Sequence, residues 1–225
     1  MIISVTAISD QNVLAQIKQA IGGLSWRDGR ETAGAVARKV KQNEQAITHE
    51  GAGKQLRDRL TPLISENVVV KAAARPRRIS APMISRTADG GHYGAHVDNA
   101  MMGAANTRIR SDISFTLFLS DPEEYEGGEL VIHAAGLTQS IKGRAGELIL
   151  YPSTSIHEVR PVTSGARIVC VGWIESMIRD PAQREMLFDL ENLRANLRQK
   201  LPDGSPELLT VDKTVSNLIR MWGQP

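Results

Sequence analysis

The sequence predicts a mainly β fold with supporting helices, an α+β chain centred on an antiparallel sandwich or barrel. Three observations lead there. Residues 68–174 are rich in β-branched runs interrupted by Gly, Pro, Asn and Asp, the pattern of many short strands. No helical periodicity separates those runs, so neighbouring strands pair antiparallel and do not cross over through helices. Amphipathic helical stretches stand on both sides of the region. A jelly roll fits this description.

From Asp10 the apolar residues Val13, Leu14, Ile17, Ala20 and Ile21 recur at helical spacing, with Asp10 placed to cap the start and Gly22-Gly23 to end it. Residues 26–34 carry too many turn formers and charges for a helix interior and are expected to be an extended segment or loop, anchored by the packing of Trp26. A second helix is expected over 49–65, with Leu56, Leu60, Leu63 and Ile64 on one face and Pro62 near its end. Strands are expected over 79–86, 93–97, 111–119, 129–133, 138–141, 147–151, 156–161 and 167–174. Thr163-Ser164-Gly165 reads as a turn between the last two, which sets them side by side.

After Trp173 the pattern turns helical, with Met177, Met186, Leu187, Leu190, Leu193 and Leu197 in a stripe. Residues 202–206 interrupt it, and Leu208, Val211, Val215, Leu218 and Ile219 support a last helix reaching Trp222. On this reading 1–66 is N-terminal helical support, 67–175 the β core, and 176–225 a C-terminal helical extension that covers the sheet or joins a second copy in a homo-oligomer.

Composition narrows the function classes. The 225 residues are 41% hydrophobic and 23% charged, ordinary for a globular chain. A net charge of +2 does not call for a nucleic-acid partner, and the basic run Arg75-Pro76-Arg77-Arg78 reads as a solvated loop. The single cysteine, Cys170, excludes an intrachain disulfide and suits a reducing compartment; within Ile168-Val169-Cys170-Val171 it is expected to be buried and inert. No apolar run approaches the roughly 18–20 residues of a membrane span. The N-terminus lacks a basic segment followed by an apolar one, so a cytoplasmic location without membrane attachment is expected.

Within the β region, Gly94-Ala95-His96-Val97-Asp98-Asn99 sets an imidazole and a carboxylate two residues apart. Alternate side chains of a strand share a face, so His96 and Asp98 can aim at one point. Ser155-Ile156-His157-Glu158-Val159 offers a second imidazole. Two His and one carboxylate on one face of an iron(II) leave the opposite positions open to oxygen and a co-substrate, the arrangement of non-haem iron oxygenases. Each group alone is weak evidence: His-x-Asp is usually an exposed polar pair, and a lone His is usually a satisfied core residue. Arg167 shifts the balance, because an Arg buried in an apolar barrel requires an anion, and a guanidinium grips a planar carboxylate with two bonds. The other readings of Arg167 are a surface residue or a partner of Glu158 or Glu175.

The order His96-x-Asp98, His157 and then Arg167, ten residues further on, resembles the iron(II)- and 2-oxoglutarate-dependent dioxygenases of the prolyl 4-hydroxylase type. Residues 93–100 (YGAHVDNA), 111–120 (SDISFTLFLS), 125–132 (YEGGELVI) and 172–176 (GWIES) are similar to the bacterial PKHD-type hydroxylases. Thr32-Ala33-Gly34, Val40-Lys41-Gln42-Asn43 and the helical tail extend the resemblance over nearly the whole chain. It implies a double-stranded β-helix, a cupin-like jelly roll. It also implies one Fe(2+) on His96, Asp98 and His157, and Arg167 as partner of the 5-carboxylate of 2-oxoglutarate.

Further implications are O2 as oxidant, succinate and CO2 as products, L-ascorbate (vitamin C) as reductant, and hydroxylation of an unactivated C–H bond in a peptidyl or small-molecule substrate. No protein acid or base is required, so no catalytic side chain is named. Many relatives carry a Tyr nine residues before the first ligand; here that position is Thr87, which leaves the contact to Thr87 through water or to Tyr93. Three rival readings are a non-catalytic iron or 2-oxoglutarate sensor, a jelly-roll metalloenzyme that uses no 2-oxoglutarate, and a structural protein acting through its C-terminal stripe.

Overall fold

The computed structural model of the chain describes residues 1–32, 34, 37–134 and 136–224. Its elements, in chain order, begin with β1 (Ile3–Thr6), α1 (Gln11–Ile21), β2 (Trp26–Asp28), β3 (Lys41–Gln42), β4 (Glu44–Ala46), α2 (Gly51–Ser65) and α3 (Val68–Ala74). Next come β5 (Pro76–Ile79), β6 (Met83–Ala88), β7 (His92–His96), β8 (Met101–Met102), β9 (Ile109–Arg110), β10 (Ile113–Phe118) and β11 (Tyr125–Gly127). The last are β12 (Leu130–Ala134), β13 (Leu137–Ile141), β14 (Glu147–Pro152), β15 (Ile156–Val159), β16 (Val162–Ser176), α4 (Pro181–Arg198) and α5 (Pro206–Trp222).

Among the described residues one sheet has nine strands, ordered β1-β14-β10-β16-β6-β4-β2, with β5 and β11 also paired to β16; a second has five, ordered β13-β12-β15-β7-β3, and β8 and β9 pair with each other. Between β6 and β16 the chain passes repeatedly from one of these two sheets to the other, and the pairings are antiparallel. This winding is the double-stranded β-helix expected of a jelly roll.

Strand alternation divides the core. Strand β10 is buried along its whole length. Ile113, Phe115 and Leu117 join Leu148, Leu150, Cys170 and Ile174 on the face covered by α1, α2 and α3. Phe118 joins Leu130, Ile132, Ile149, Tyr151 and Val169 in a second cluster, with Ser114 and Thr116 lining a cavity on that side. The Cys170 thiol is fully buried, as its apolar neighbours in sequence predict.

Several elements differ from the sequence expectation. Residues 68–74 (VVVKAAA) form α3 where β-branched composition predicts extended chain. Asn67 caps the helix, accepting from the Val69 and Val70 N–H groups, and Val70, Ala73 and Ala74 meet the core at helical spacing. Burial of that stripe outweighs the modest cost of Val in a helix. Pro62 lies inside α2, which continues to Ser65 with Leu56, Leu60 and Ile64 buried. The segment expected to be extended or a loop is both: Trp26–Asp28 is a strand on β4 and Gly29–Thr32 a 3-10 turn, while Ala33 lies outside the described residues. Trp26 packs against the core, with the Arg86 guanidinium 4.6 Å from its ring centroid.

The turn expected at Thr163-Ser164-Gly165 does not form. Strand β16 continues through it, pairing with β11 as far as Gly165 and with β6 from Ala166 onward. Gly165, at φ +71, bends the strand there. The chain instead runs on through Arg160-Pro161 without reversing, keeping one antiparallel course along β12–β11 and β7–β6 while it passes from the five-stranded to the nine-stranded sheet, so His157 and Arg167 lie on different sheets, not on adjacent strands as expected.

At the C-terminus α4 and α5 pack around Ile178, Leu187 and Val215, and Arg75, which ends α3, forms an ion pair with Glu191 of α4. Among the described residues no helix is long and apolar enough to cross a membrane.

Candidate metal centre and co-substrate pocket

His96 is the last residue of β7 and stands opposite His157 of β15 in the antiparallel register. Their ring centroids are 4.3 Å apart. Asp98 follows just beyond the strand, with Oδ2 3.7 Å from His157 Nε2. One possible ligand atom from each of the three lies within 4.8 Å of the others.

Both imidazoles are oriented by backbone. His96 Nδ1 lies 2.8 Å from the Gly94 carbonyl oxygen and His157 Nδ1 3.0 Å from that of Ser155. A carbonyl oxygen only accepts, so each Nδ1 carries the hydrogen and each neutral ring keeps its Nε2 lone pair for a cation. Burial, with His157 close by, pushes His96 below the usual imidazole range and favours that neutral form. The Ser114 hydroxyl donates to Asp98 Oδ2 at 2.6 Å; Ser153, 2.7 Å from Ser114, is then the donor to Ser114. Tyr93 stacks on His96 at 3.6 Å between centroids, and Tyr151 meets His157 edge-on at 5.1 Å.

Arg167 points from β16 into the same cavity, which Thr87, Thr116, Tyr151, His96, Asp98 and His157 also line. It is 2% exposed. Its guanidinium carbon lies 5.3 Å from the Phe118 ring centroid. Among the described residues neither Arg167 Nε nor the Tyr125 hydroxyl has a hydrogen-bond partner, and no carboxylate forms an ion pair with the guanidinium. Glu175 instead serves Arg77 at 3.0 Å and Arg78 at 2.6 Å. Burial holds the Arg167 pKa below its ordinary value. Gly128, at φ +68, lets the chain pass over this side chain, because a Cβ there would sit 3.1 Å from Arg167 Cδ.

The four side chains singled out in the sequence therefore line one cavity. The donor set, two imidazoles and a carboxylate, suits iron(II), and the buried guanidinium suits the far end of a dicarboxylic acid. The sequence reading missed the Ser114–Ser153 brace. Its signal was available: Ser114 and Thr116 are the polar members of a strand otherwise apolar, on the face that the alternation turns inward.

Residues 82–175 match the family model of the 2OG-Fe(II) oxygenase superfamily, and residues 181–224 that of the PKHD-type hydroxylase C-terminal domain. A PKHD-type hydroxylase of Hyphomonas neptunium is 52% identical over 96% of each chain. The chain belongs to the PKHD-type hydroxylases. A second PKHD-type hydroxylase, of Synechococcus elongatus, is 44% identical over the full length of both chains. As a hydroxylase of the 2OG-Fe(II) oxygenase superfamily, the protein depends on iron(II), 2-oxoglutarate and O2.

Two solved structures share the hydroxylase's double-stranded β-helix. A prolyl hydroxylase from Trichoplax adhaerens, in complex with a hypoxia inducible factor oxygen degradation domain peptide fragment, has a TM-score of 0.59 at 12% identity, covering 77% of this chain and 83% of that one. A 2OG-Fe(II) oxygenase family oxidoreductase from Burkholderia pseudomallei has a TM-score of 0.54 at 20% identity, covering 77% and 85%.

Proposed function

We propose that in this hydroxylase His96, Asp98 and His157 hold the ferrous ion and Arg167 holds the 5-carboxylate of 2-oxoglutarate. The substrate is an unactivated C–H bond of a peptidyl or small molecule. Arg167 carries the reading. A buried charge without a counter-ion costs several kcal/mol, and a dicarboxylate reaching from the three donors to the guanidinium supplies that counter-ion within the same cavity.

When bound, the iron supplies the oxygen activation that couples decarboxylation of 2-oxoglutarate, to succinate and CO2, with hydroxylation. The chain supplies position. The Gly94 and Ser155 carbonyls fix the imidazole tautomers, and Ser114 with Ser153 fixes the Asp98 carboxylate. Thr87 is the register partner of Arg167 on β6 and is buried beside it, so its hydroxyl is the one at hand for the same carboxylate. Tyr93 is stacked on His96 and serves the first ligand instead. Leu130, Val159 and Val169 give the cavity apolar walls that keep bulk water away.

L-ascorbate acts as the external reductant that keeps iron ferrous, and the setting is cytoplasmic. Residues 1–66, 67–175 and 176–225 serve as support, iron-binding core and helical extension. Exposed Met186, Leu193, Leu209 and Met221 on α4 and α5 give self-association an apolar surface.

Anaerobic titration with Fe(II) and 2-oxoglutarate tests the assignment through the weak visible charge-transfer band of the chelate. His96→Ala abolishes the band, and Arg167→Ala weakens 2-oxoglutarate binding. Parental behaviour in both variants refutes the assignment.

A further inference from the structure

Strand β3 is only two residues long, yet it forms the edge of the five-stranded sheet and sets Lys41 opposite Tyr93. The Lys41 ammonium lies 5.0 Å from the Tyr93 ring centroid, and Tyr93 in turn stacks on His96. Lys41 thus stands one ring away from a proposed ligand, on the wall of the same cavity, with Thr32, Asn99 and Trp173.

The side chain is 6% exposed, and its hydrogen bond is to the Thr32 hydroxyl at 3.0 Å. Among the described residues no carboxylate lies within ion-pair reach of it. Asp28, the nearer candidate along the chain, is gripped by Arg30 Nε at 2.8 Å. Burial pushes the Lys41 amine down to about 8. Trp173 Nε1, on the same cavity wall, is a buried donor that has no acceptor among the described residues. Donors held dry in this way ask for an acceptor from a ligand.

Charge balance says that this ligand is not 2-oxoglutarate. In the loaded site the iron(II) dication and Arg167 are balanced by Asp98 and the dicarboxylate. Asp98 is then spent on the metal, and Lys41 remains as the surplus positive charge.

We propose that Lys41 is the substrate-recognition cation of this hydroxylase, binding a carboxylate carried by the molecule that is hydroxylated. The proposal rests on the assignment of His96, Asp98, His157 and Arg167 given above. A small free acid, a chain end or an acidic peptide side chain offers the same chemistry, and the arms of the test separate them.

The full chain is loaded with Zn(II) and 2-oxoglutarate, which fills the site without turnover, and its lysine side chains are isotope-labelled for NMR. The probes are acetate, N-acetylproline and a tripeptide capped at both ends with a central glutamate, each matched by its carboxamide. The Lys41 signal, identified by its loss in Lys41→Gln, shifts saturably with at least one carboxylate probe and not with the matching amide. A response to N-acetylproline marks a small acid or chain end, and a response to the capped tripeptide marks an acidic side chain. Lys41→Gln weakens the responding probe by about 10- to 100-fold in calorimetry, the loss of one charged hydrogen bond, and Lys41→Arg recovers most of it.

The proposal is overturned if no carboxylate moves the Lys41 signal, or if the amide moves it as far. It is equally overturned if Lys41→Gln loses the Fe(II)–2-oxoglutarate charge-transfer band, which would give the lysine to the co-substrate. Absence of that band in the parent chain is a separate failure: it removes the iron and 2-oxoglutarate assignment itself, and this proposal with it.

Discussion

His96 and His157 face each other across β7 and β15, and each ring donates from Nδ1 to the carbonyl two residues before it. The two imidazoles are therefore set by backbone, whereas Asp98 is set by a side chain, Ser114. That difference makes the carboxylate the adjustable member of the proposed triad. Ser114→Ala removes the hydrogen bond without touching a ligand, and loss of such an outer contact weakens metal binding by about 10- to 100-fold. Competition with a metal chelator measures the effect, and 2-oxoglutarate affinity at saturating metal changes much less.

Arg167 is predicted to oppose stability and serve binding at once. Replacing an uncompensated buried charge with an apolar side chain of similar length is neutral or stabilising by about 1–4 kcal/mol. Arg167→Met therefore melts at or above the parent temperature when 2-oxoglutarate is withheld. The parent gains further stability on adding 2-oxoglutarate with a redox-inert divalent metal, and the variant loses that gain. A variant that melts well below the parent without ligand would show that the guanidinium has a protein partner after all.

How much of this was legible in the sequence depended on the range of the cause. The His96–Asp98 spacing and the alternation in β10 are local, and they gave the cluster and the buried strand directly. Helix α3 was missed because three consecutive Val residues suggest a strand, while the deciding fact, Val70, Ala73 and Ala74 meeting the core together, is tertiary. Thr163-Ser164-Gly165 has the composition of a turn, but β11 lies alongside and absorbs these residues into one bent strand. Nothing near Lys41 in sequence shows that Tyr93 and Thr32 bury it, because both contacts are made by the fold.

Cys170 supplies a pH prediction. Burial pushes its thiol up from 9.0 to about 12. Above pH 9 the unfolded chain loses the thiol proton while the folded chain keeps it, so this residue's contribution to stability falls as pH rises, by about 1.4 kcal/mol per unit. Lys41 works in the opposite sense: its folded amine, lowered to about 8 from 10.5, makes stability rise between those values. The informative quantity is therefore the difference between the parent and Cys170→Ala in urea unfolding, which shrinks from pH 9 to pH 11. The same burial keeps the thiol unreactive toward a disulfide reagent at pH 8 until the chain unfolds.

Two glycines with nearly equal backbone angles separate strain from crowding. Gly165 has φ +71 and Gly90 φ +77, so alanine meets a similar left-handed penalty at each, about 1 kcal/mol. Their surroundings differ. A Cβ at Gly165 would lie 2.1 Å from the Glu124 carbonyl oxygen, whereas at Gly90 nothing lies within 4 Å. Gly165→Ala must therefore push β11 away from β16, adding a packing cost that brings the total to about 3 kcal/mol or more. Because β16 also carries Arg167 two residues on, that variant weakens 2-oxoglutarate binding as well, while Gly90→Ala leaves it near the parent value. Paired unfolding curves and chelate titrations on the two variants check both halves: equal losses of stability would show that β16 is not held in its bend by the contact with Glu124.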